Sequence, residues 1–331
     1  MKVVLLHTAD AEGPSRDPVI DQLLDAIRSY GHDAAALVVD RAVDRAVEVV
    51  VAALREHAPD LVFNLAESFG GKSALESNVA ALLNLLDMRY TGSSPAGLLL
   101  AGDKALAKKV LSFHGVKTPQ FAAVFRGAVD WADDIAFPVI IKPPQEDASI
   151  GVSSSSVVTD IRQLLERIDA IYSEFQQPAL VEQFVDGREF YVGVLGNESA
   201  TALPIIELDF TGFPAGTPRI ASWEAKWGED GEGSGAEFAG TRSIFPRDLD
   251  PELAERIQQV AVEAFHALRL RDYARIDMRV TDAGEIYVIE VNPNCYLERE
   301  SEFARAAAEA GTDYEKLVGR IMELSLARYA R

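Results

Sequence analysis

The chain of 331 residues lacks the features that mark several large classes of protein. Its single cysteine, Cys295, excludes an internal disulfide and is typical of a reducing compartment. No apolar run reaches the roughly 18 residues needed to span a bilayer. The apolar start, residues 1–7, is too short for a signal peptide. We therefore expect a cytoplasmic protein, in which Cys295 packs as a small apolar residue.

Positive charge is also scarce. The chain has 32 Lys and Arg against 52 Asp and Glu, a formal net charge of −20. Nucleic acids and anionic membranes are polyanions, so this balance argues against either as a partner. The complete phosphate-loop signature, Gly-x-x-x-x-Gly-Lys-Ser/Thr, and the dinucleotide-type glycine fingerprint are absent as well.

The most informative stretch that is present lies at residues 273–294. Two segments with alternating polar and apolar residues flank the turn residues 281–284, a pattern that predicts a β-hairpin. In this hairpin Asp277 lies opposite Glu290, and Arg275 and Asn292 share their face. Two carboxylates and an amide oxygen are the hard ligands that suit Mg²⁺ bound to phosphates. For the hairpin alone, a solvated face with charges paired for solubility remains an equal alternative.

The rest of the chain predicts an α/β protein. In the first third, strands alternate with helices, which predicts right-handed βαβ units and a parallel sheet, with the loops 8–15 and 66–72 as candidate site loops. The predicted strands there are 3–6, 35–39 and 61–65, and the helices are 17–30 and 43–57. Later strands are predicted at 137–142, 152–158, 180–185, 189–195 and 202–209. Later helices are predicted at 103–113, 160–174, 250–268, 302–310 and 313–329. We divide the chain into an N-terminal α/β domain (1–97), a small central α+β domain (98–180) and a C-terminal α+β domain (181–331).

Three features indicate a nucleotide triphosphate. Lys142 ends an apolar strand, where a cation is costly unless an anion meets it, and Ser149 and Gly151 in the next loop could wrap phosphate oxygens. Lys104 opens a helix and could add a second cation, although a solvated first-turn lysine is the simpler interpretation of that residue alone. The segment 182–189 has a glutamate at each end, and carboxylates suit ribose hydroxyls and the adenine amino group.

In this order the motifs resemble those of the ATP-grasp superfamily, and most of all those of D-alanine–D-alanine ligases. The resemblance covers nearly the whole chain and is strongest at residues 90–104, 137–152, 180–190, 223–227, 275–280 and 289–294. It implies a three-domain ATP-grasp fold with a mainly antiparallel C-terminal sheet. The implied reaction is phosphorylation of a carboxylate by ATP, followed by attack of an amine on the acyl-phosphate.

The resemblance also implies roles for individual residues. Lys104 and Lys142 would contact the ATP phosphates, and Lys226 would reach the γ-phosphate. The adenine would be lined by Glu182, Gln183, Phe184 and Val185, and Glu189 would hold the ribose. Two magnesium ions, with Mn²⁺ as an alternative, would be bound by Asp277, Glu290 and Asn292. Arg275 would stabilise the charge that develops on the acyl-phosphate and tetrahedral intermediate.

The chain departs from the family where the amino-acid substrates bind. Residues 10–17, 64–71 and 294–297 do not match the family motifs, and two positions linked to the first D-alanine hold Ala148 and Trp227. Ser301 aligns with the serine that touches the second D-alanine, but Glu302 replaces the leucine after it. ATP chemistry is thus expected to be retained while substrate recognition differs.

Four residues are therefore candidate substrate contacts: Glu67, Glu76, Ser301 and Glu302. Glu67 follows the third strand and Glu76 opens the next helix, so both could face the cleft. A carboxylate at Glu302 would disfavour the carboxyl group of a small apolar amino acid and favour a cationic or amine-bearing acceptor. The alternative, of equal weight, is that Glu302 is a first-turn residue at the positive end of a helix.

These observations predict an ADP-forming carboxylate–amine ligase that joins two amino acids, or an amino acid and a related acid or amine. One alternative is a true D-alanine–D-alanine or D-alanine–D-lactate ligase with an unusual pocket, and another is a non-catalytic ATP-binding protein. The expected cofactors are ATP and Mg²⁺, and the expected partners are small amino-acid-like molecules. A homodimer is left open as the assembly.

Overall fold

Three β-sheets flanked by helices make up the part of the chain that the structure describes. The computed structural model of the protein describes residues 1–8, 17–39, 46–125, 128–132, 135–146, 149–213, 216–221 and 241–330. Within these ranges no helix is long and apolar enough to cross a membrane.

The first sheet is parallel and has the strand order β2-β1-β3. Its strands are β1 (Lys2–Thr8), β2 (Asp33–Val39) and β3 (Leu61–Leu65), with helices α1 (Pro18–Ser29) and α2 (Ala46–His57) between them. The central strand β1 is buried along nearly its whole length, as expected when helices cover both faces of a sheet. The predicted parallel sheet with alternating helices is confirmed.

A run of helices leads from this sheet to the next. After a short 3₁₀ turn at Ser73–Leu75 come α3 (Glu76–Leu85), α4 (Pro95–Ala101) and α5 (Lys104–Phe113). Asp103 caps the N-terminus of α5, because its Oδ1 accepts a hydrogen bond from the backbone nitrogen of Leu106 at 2.9 Å. Residues four apart share one helix face, so α5 presents two lysines, at positions 104 and 108, to the same neighbours.

The second sheet has five described strands in the order β5-β4-β8-β6-β7, all in antiparallel pairs. They are β4 (Phe121–Phe125), β5 (Ala128–Ala132), β6 (Val139–Lys142), β7 (Val157–Val158) and β8 (Ala179–Gln183), and α6 (Ile161–Phe175) packs against them. The predicted strand 152–158 is wrong except for its last two residues. Ser154–Ser156 form a 3₁₀ turn there, because Ser153 and Ser156 cap each other's backbone in a capping box.

The third sheet is antiparallel and has the main order β12-β11-β9-β13-β14, with β10 paired to β9. Its strands are β9 (Arg188–Gly196), β10 (Thr201–Ala202), β11 (Ile206–Asp209), β12 (Arg242–Ile244), β13 (Asp272–Val280) and β14 (Ile286–Pro293). The predicted strand 202–209 is interrupted at residues 203–205, where Pro204 has no N–H for a ladder bond. Helices α7 (Pro251–Ala267), α8 (Glu302–Glu309) and α9 (Tyr314–Tyr329) complete this part of the chain.

The predicted hairpin is formed by β13 and β14. Arg275 pairs with Asn292 and Asp277 pairs with Glu290, which confirms the predicted register. The register shifts just after Asp277, at the junction with Met278. Such an irregularity increases the local twist of a strand and can redirect its side chains.

The hydrophobic core joins the first sheet to the third. One cluster of buried residues contains Leu5 of β1, Leu23 of α1, Tyr191 of β9 and Leu317 of α9. A buried ion pair joins α9 to the third sheet, because Arg328 of α9 lies 2.8 Å from Asp272 of β13. The three domain boundaries stay predictions, and β8 spans the one proposed at residue 180.

Candidate active site

A cleft with about 780 Å³ of empty space lies between the second and third sheets. Its walls come from α5, β6 and β8 on one side and from β9, β13 and β14 on the other. Ten of the residues predicted from the sequence line it, namely Lys104, Lys142, Ser149, Glu182, Gln183, Phe184, Val185, Glu189, Asp277 and Glu290. The fold thus brings residues that are up to 186 positions apart in sequence to one surface.

Three buried lysines form a basic cluster at one side of this cleft. Lys142 Nζ lies 3.1 Å from Glu182 Oε1, and Lys108 Nζ lies 3.3 Å from the same oxygen. Lys104 Nζ lies 2.9 Å from Glu290 Oε1 and donates to the backbone oxygen of Glu146 at 2.5 Å. Lys104 is only 8% exposed, so the solvated lysine favoured for this residue alone is wrong.

Lys108 belongs to this cluster but was not among the predicted site residues. It is 2% exposed, and burial lowers its pKa to about 8 although Glu182 acts in the opposite direction. Its Nζ also donates to the backbone oxygen of Ile289 at 3.3 Å, next to Glu290 on β14. The spacing of four residues from Lys104 on a helix was the signal that could have identified it.

The loop after β6 contains two residues in the left-handed backbone conformation. Ser149 and Gly151 both have positive φ values, 62° and 73°. A Cβ at Gly151 would lie 2.9 Å from the ring of Phe175, so only glycine fits there. The Ser149 hydroxyl donates to the backbone oxygen of Ala221 at 2.6 Å, and both residues line the cleft. Gly151 shapes this loop without lining the cleft itself.

At another part of the cleft, Glu189 is held by two protein donors. Arg279 Nε donates to Glu189 Oε2 at 2.8 Å, and the Tyr191 hydroxyl donates to Glu189 Oε1 at 2.9 Å. Glu189 and Arg279 are 3% and 4% exposed. Arg279 was not predicted as a site residue, although it lies two positions after Asp277 and therefore on the same strand face.

The side chains on the predicted metal-binding face of the hairpin are joined to one another by hydrogen bonds. Arg275 makes a two-point contact with Asp277, with Nε to Oδ1 at 2.8 Å and Nη2 to Oδ2 at 2.9 Å. The side-chain nitrogen of Asn292 donates to Asp277 Oδ2 at 3.0 Å. Burial acts to lower the pKa of Arg275, but Asp277 and Glu302 raise it well above its ordinary value. The guanidinium also lies 4.8 Å from the centre of the Tyr191 ring.

Within the described residues, no group of three or more His, Cys, Asp or Glu side chains is arranged to hold a metal ion. The predicted set contains two carboxylates and an amide, so it needs other oxygen ligands to complete a coordination sphere. Phosphate oxygens and water are the usual additional ligands of Mg²⁺. The donor set therefore fits an ion that arrives with a phosphate group.

The four predicted substrate contacts are not among the described residues that line this cleft. Glu302 lies next to it, with Oε2 3.6 Å from Arg275 Nη1 and Oε1 accepting from the Ser243 hydroxyl at 3.1 Å. The Ser301 hydroxyl donates to the backbone oxygen of Tyr296 at 3.1 Å. Glu76 begins α3 as predicted, and the backbone nitrogen of Glu67 donates to Thr8 Oγ1 at 3.0 Å.

Several predicted residues lie outside the described part of the chain, namely Lys226, Ala148, Trp227 and most of the loop 8–15. Cys295, in contrast, is described and is 5% exposed within the main core cluster. Burial raises its pKa to about 12, which leaves the thiol protonated at neutral pH. The expectation of a packed apolar cysteine is confirmed.

Comparison with known proteins identifies the family. The family model described as D-ala D-ala ligase C-terminus matches residues 110–323. The chain is 32% identical to the D-alanine–D-alanine ligase of Xanthomonas axonopodis pv. citri, over 92% of the chain and 88% of that protein. It is also 32% identical to the uncharacterized protein y4sG of Sinorhizobium fredii, over 94% of the chain and 88% of that protein.

A solved structure shares the fold. The D-alanine–D-alanine ligase of Bacillus anthracis complexed with ATP matches with a TM-score of 0.74 and 22% identity, over 99% of this chain and 98% of that one. This likeness agrees with the observed sheets, parallel in the N-terminal part and antiparallel in the later parts. The chain therefore belongs to the D-alanine–D-alanine ligase family, and it is an ATP-dependent ligase with the ATP-grasp fold.

Proposed function

We propose that the protein is an ADP-forming carboxylate–amine ligase that joins two amino acids, or an amino acid and a related acid or amine, through an acyl-phosphate. The observation that carries this proposal is the position of Arg275 and Asp277 beside a cleft that is also lined by two buried lysines, Lys104 and Lys142. Phosphoryl transfer needs little beyond positioning and neutralisation of oxygen charge, and this set supplies both.

In this proposal ATP occupies the cleft with its phosphates toward the basic cluster. Lys104 and Lys142 bind phosphate oxygens, and the loop of Ser149 wraps them from the other side. Residues 182–185 line the adenine, and Glu189 binds the ribose. Lys108 does not need to touch the nucleotide, because its Nζ is occupied by Glu182 and the backbone of Ile289.

Asp277, Glu290 and Asn292 are the residues that would hold Mg²⁺, and Mn²⁺ is an alternative ion for the same oxygens. The Glu290 side chain is 24% exposed, so it can reach an ion at the cleft wall, and its present partner is Lys104. The Asn292 amide must turn to present its oxygen in place of the nitrogen that now faces Asp277. When bound, Mg²⁺ supplies charge neutralisation on the phosphate oxygens.

Arg275 is suited to stabilise the negative charge that develops as the acyl-phosphate forms and reacts. Its guanidinium is oriented by Asp277 on one side and by the ring of Tyr191 on another. Such fixed orientation is what makes a charged donor effective in a transition state, because no reorganisation is then needed.

For the substrates, we propose amino acids with an acceptor other than D-alanine. The argument is the carboxylate of Glu302 beside Arg275, at a position where the family has leucine. A cationic or amine-bearing acceptor would add positive charge beside Glu302. The second candidate is D-alanine–D-alanine ligation itself, which is favoured by the similarity to the D-alanine–D-alanine ligase of Xanthomonas axonopodis pv. citri. A cytoplasmic location and a homodimer remain further predictions.

A screen of ADP release over paired amino acids and small carboxylic acids would test the proposal. We expect amino-acid-dependent ADP release, with a larger or basic acceptor better than D-alanine. Glu290→Gln should abolish turnover with the fold intact, because a metal ligand is lost. The matched control is Glu285→Gln on the same hairpin, since Glu285 is 51% exposed and pairs with Lys117, which does not line the cleft. Near-normal turnover by Glu290→Gln would contradict the metal assignment, and ADP release independent of any amino acid would contradict ligation.

A further inference from the structure

Arg279 is the basic residue of the described cleft lining to which the proposed function gives no role. It lies on β13, directly opposite Glu189 of β9 in the strand register. Its guanidinium donates to Glu189 Oε2 from Nε at 2.8 Å and lies 2.6 Å from it at Nη2. Both nitrogens contact the same oxygen, so this charge-assisted contact fixes the position of Oε2.

The second oxygen of Glu189 is also held. The Tyr191 hydroxyl donates to Oε1 at 2.9 Å, from a side chain that is itself 4% exposed. With one donor group on each oxygen, rotation of the carboxylate breaks at least one hydrogen bond in a buried setting, where an unsatisfied group is costly. The lone pairs that remain on each oxygen therefore have fixed directions.

Arg279 is itself held in place by groups that surround the cleft. Nη1 lies 3.4 Å from the backbone oxygen of Gly187, and Nη2 also donates to the backbone oxygen of Arg219. The rings of Phe184 and Phe210 lie 5.8 and 5.5 Å from the guanidinium carbon. Only the planar, many-donor guanidinium can make this set of contacts, so lysine is not an equivalent residue here.

We propose that Arg279 is a positioning residue that, together with Tyr191, fixes Glu189 so that its free lone pairs accept from both hydroxyls of a ribose, and thereby makes the site selective for ribonucleotides over deoxyribonucleotides. This inference rests on the proposed function, in which Glu189 binds the ribose. A site built to hydrogen-bond a hydroxyl discriminates strongly against an analogue that lacks it, because the buried acceptor is left unpaired. A carboxylate that can rotate would adapt to a single hydroxyl and lose that discrimination.

The test compares ATP, 2′-deoxy-ATP and 3′-deoxy-ATP in the wild type, in Arg279→Met and in Tyr191→Phe. Binding is measured by calorimetry without amino acids, and kcat/KM is measured with them. We expect the wild type to prefer ATP by about 10-fold or more, the scale of a hydrogen bond to a charged acceptor. Each variant should lose affinity for ATP and change less than about 3-fold for the deoxynucleotides, so that the preference collapses. The matched control is Arg188→Met, because Arg188 neighbours Glu189 on β9 but pairs with Glu207 at 2.6 Å outside the cleft.

The outcomes separate a positioning role from a structural one. Equal losses for all three nucleotides in both variants would overturn the inference, and so would a wild type that binds ATP and 2′-deoxy-ATP equally. If Arg279→Met does not fold, the result for Tyr191→Phe alone tests the inference, since this substitution removes one hydroxyl and keeps the ring beside Arg275. A wild type that binds no nucleotide would instead contradict the proposed function and with it the premise of this inference.

Discussion

Replacing the buried Lys108 by methionine should make the protein more stable at neutral pH. Lys108 Nζ lies 3.3 Å from Glu182 Oε1 and 3.3 Å from the backbone oxygen of Ile289, and the side chain is 2% exposed. Methionine fills a similar space without a charge that must be kept from water. Glu182 keeps a cation in the variant, because Lys142 lies 3.1 Å from it.

The size of this effect can be derived from the pKa of Lys108. Burial lowers it from 10.5 to about 8, in spite of the attraction to Glu182. This difference corresponds to a cost of ~3 kcal/mol for holding the charged lysine in the folded protein, since a change of one in pKa is about 1.4 kcal/mol. Loss of the hydrogen bond to Ile289 offsets about 1 kcal/mol of the gain. A net increase of about 2 kcal/mol in the free energy of unfolding is expected at pH 7.

The gain in the free energy of unfolding of Lys108→Met over the wild type should disappear as the pH rises. Below pH 8, Lys108 is charged in the folded and in the unfolded chain, so the wild type bears the full cost. Between about pH 8 and 10.5 the folded protein releases this proton before the unfolded chain does, and wild-type stability rises relative to the variant. Above pH 10.5 the lysine is neutral in both states, so the cost of the buried charge is gone. The variant then differs only by the loss of the hydrogen bond to Ile289, and it should be slightly less stable than the wild type.

Urea unfolding of both proteins at pH 7 and at pH 10 measures this difference directly. Lys109→Met is the matched control, because Lys109 is the next residue on α5 and is half-buried. Its effect on stability should not follow the same pH dependence. Destabilisation by Lys108→Met at pH 7, or a stability difference that is equal at the two pH values, would refute the reasoning.

Two further predictions concern the substrate end of the site. Arg275→Ala should lower kcat by roughly 100-fold or more, the scale of lost oxyanion stabilisation, with little change in the KM for ATP. A rise in the KM for ATP alone would mean that Arg275 binds substrate and does not act on the transition state. Glu302→Leu should shift the preferred acceptor from basic toward small apolar amino acids, because it removes a carboxylate 3.6 Å from Arg275. Efficient D-alanyl-D-alanine formation by the wild type, unchanged in Glu302→Leu, would show that Glu302 does not select the acceptor.

The elements predicted best from the sequence are those fixed by local pattern. The register of β13 and β14 follows from alternation and from turn residues 281–284, which force Asp277 to face Glu290. The strands β4 and β5 were not predicted. β4 includes Ala122 and Ala123, which give little β-signal, and this strand forms because β8 pairs with it on one side and β5 on the other. Pairing between β4 and β8, in which Phe121 lies opposite Glu182, joins distant segments and has no local signature.

Within the site, motif order identified the nucleotide and metal residues but not their partners. Lys108 and Arg279 lie four and two residues from predicted positions on the same faces, so helical and strand periodicity could have found them. The contact between Glu302 and Arg275 could not be read from the sequence, since it depends on how α8 packs against β9. Glu182 likewise was predicted for the nucleotide base, and only the fold reveals that it lies beside two lysines.

These partners explain how a protein with a net charge of −20 can offer a site for a triphosphate. The charged groups of the described cleft occur mostly as opposite pairs, such as Lys104 with Glu290 and Arg275 with Asp277. Under the proposed function, the phosphates of ATP replace the carboxylate as the partner of the lysine. A divalent cation replaces the basic side chains as the partner of the carboxylates. A ligand of only one sign would leave one member of each pair buried and unpaired, which is costly. The nucleotide and the metal ion together replace both partners, so the geometry favours their binding as one complex over the binding of either alone.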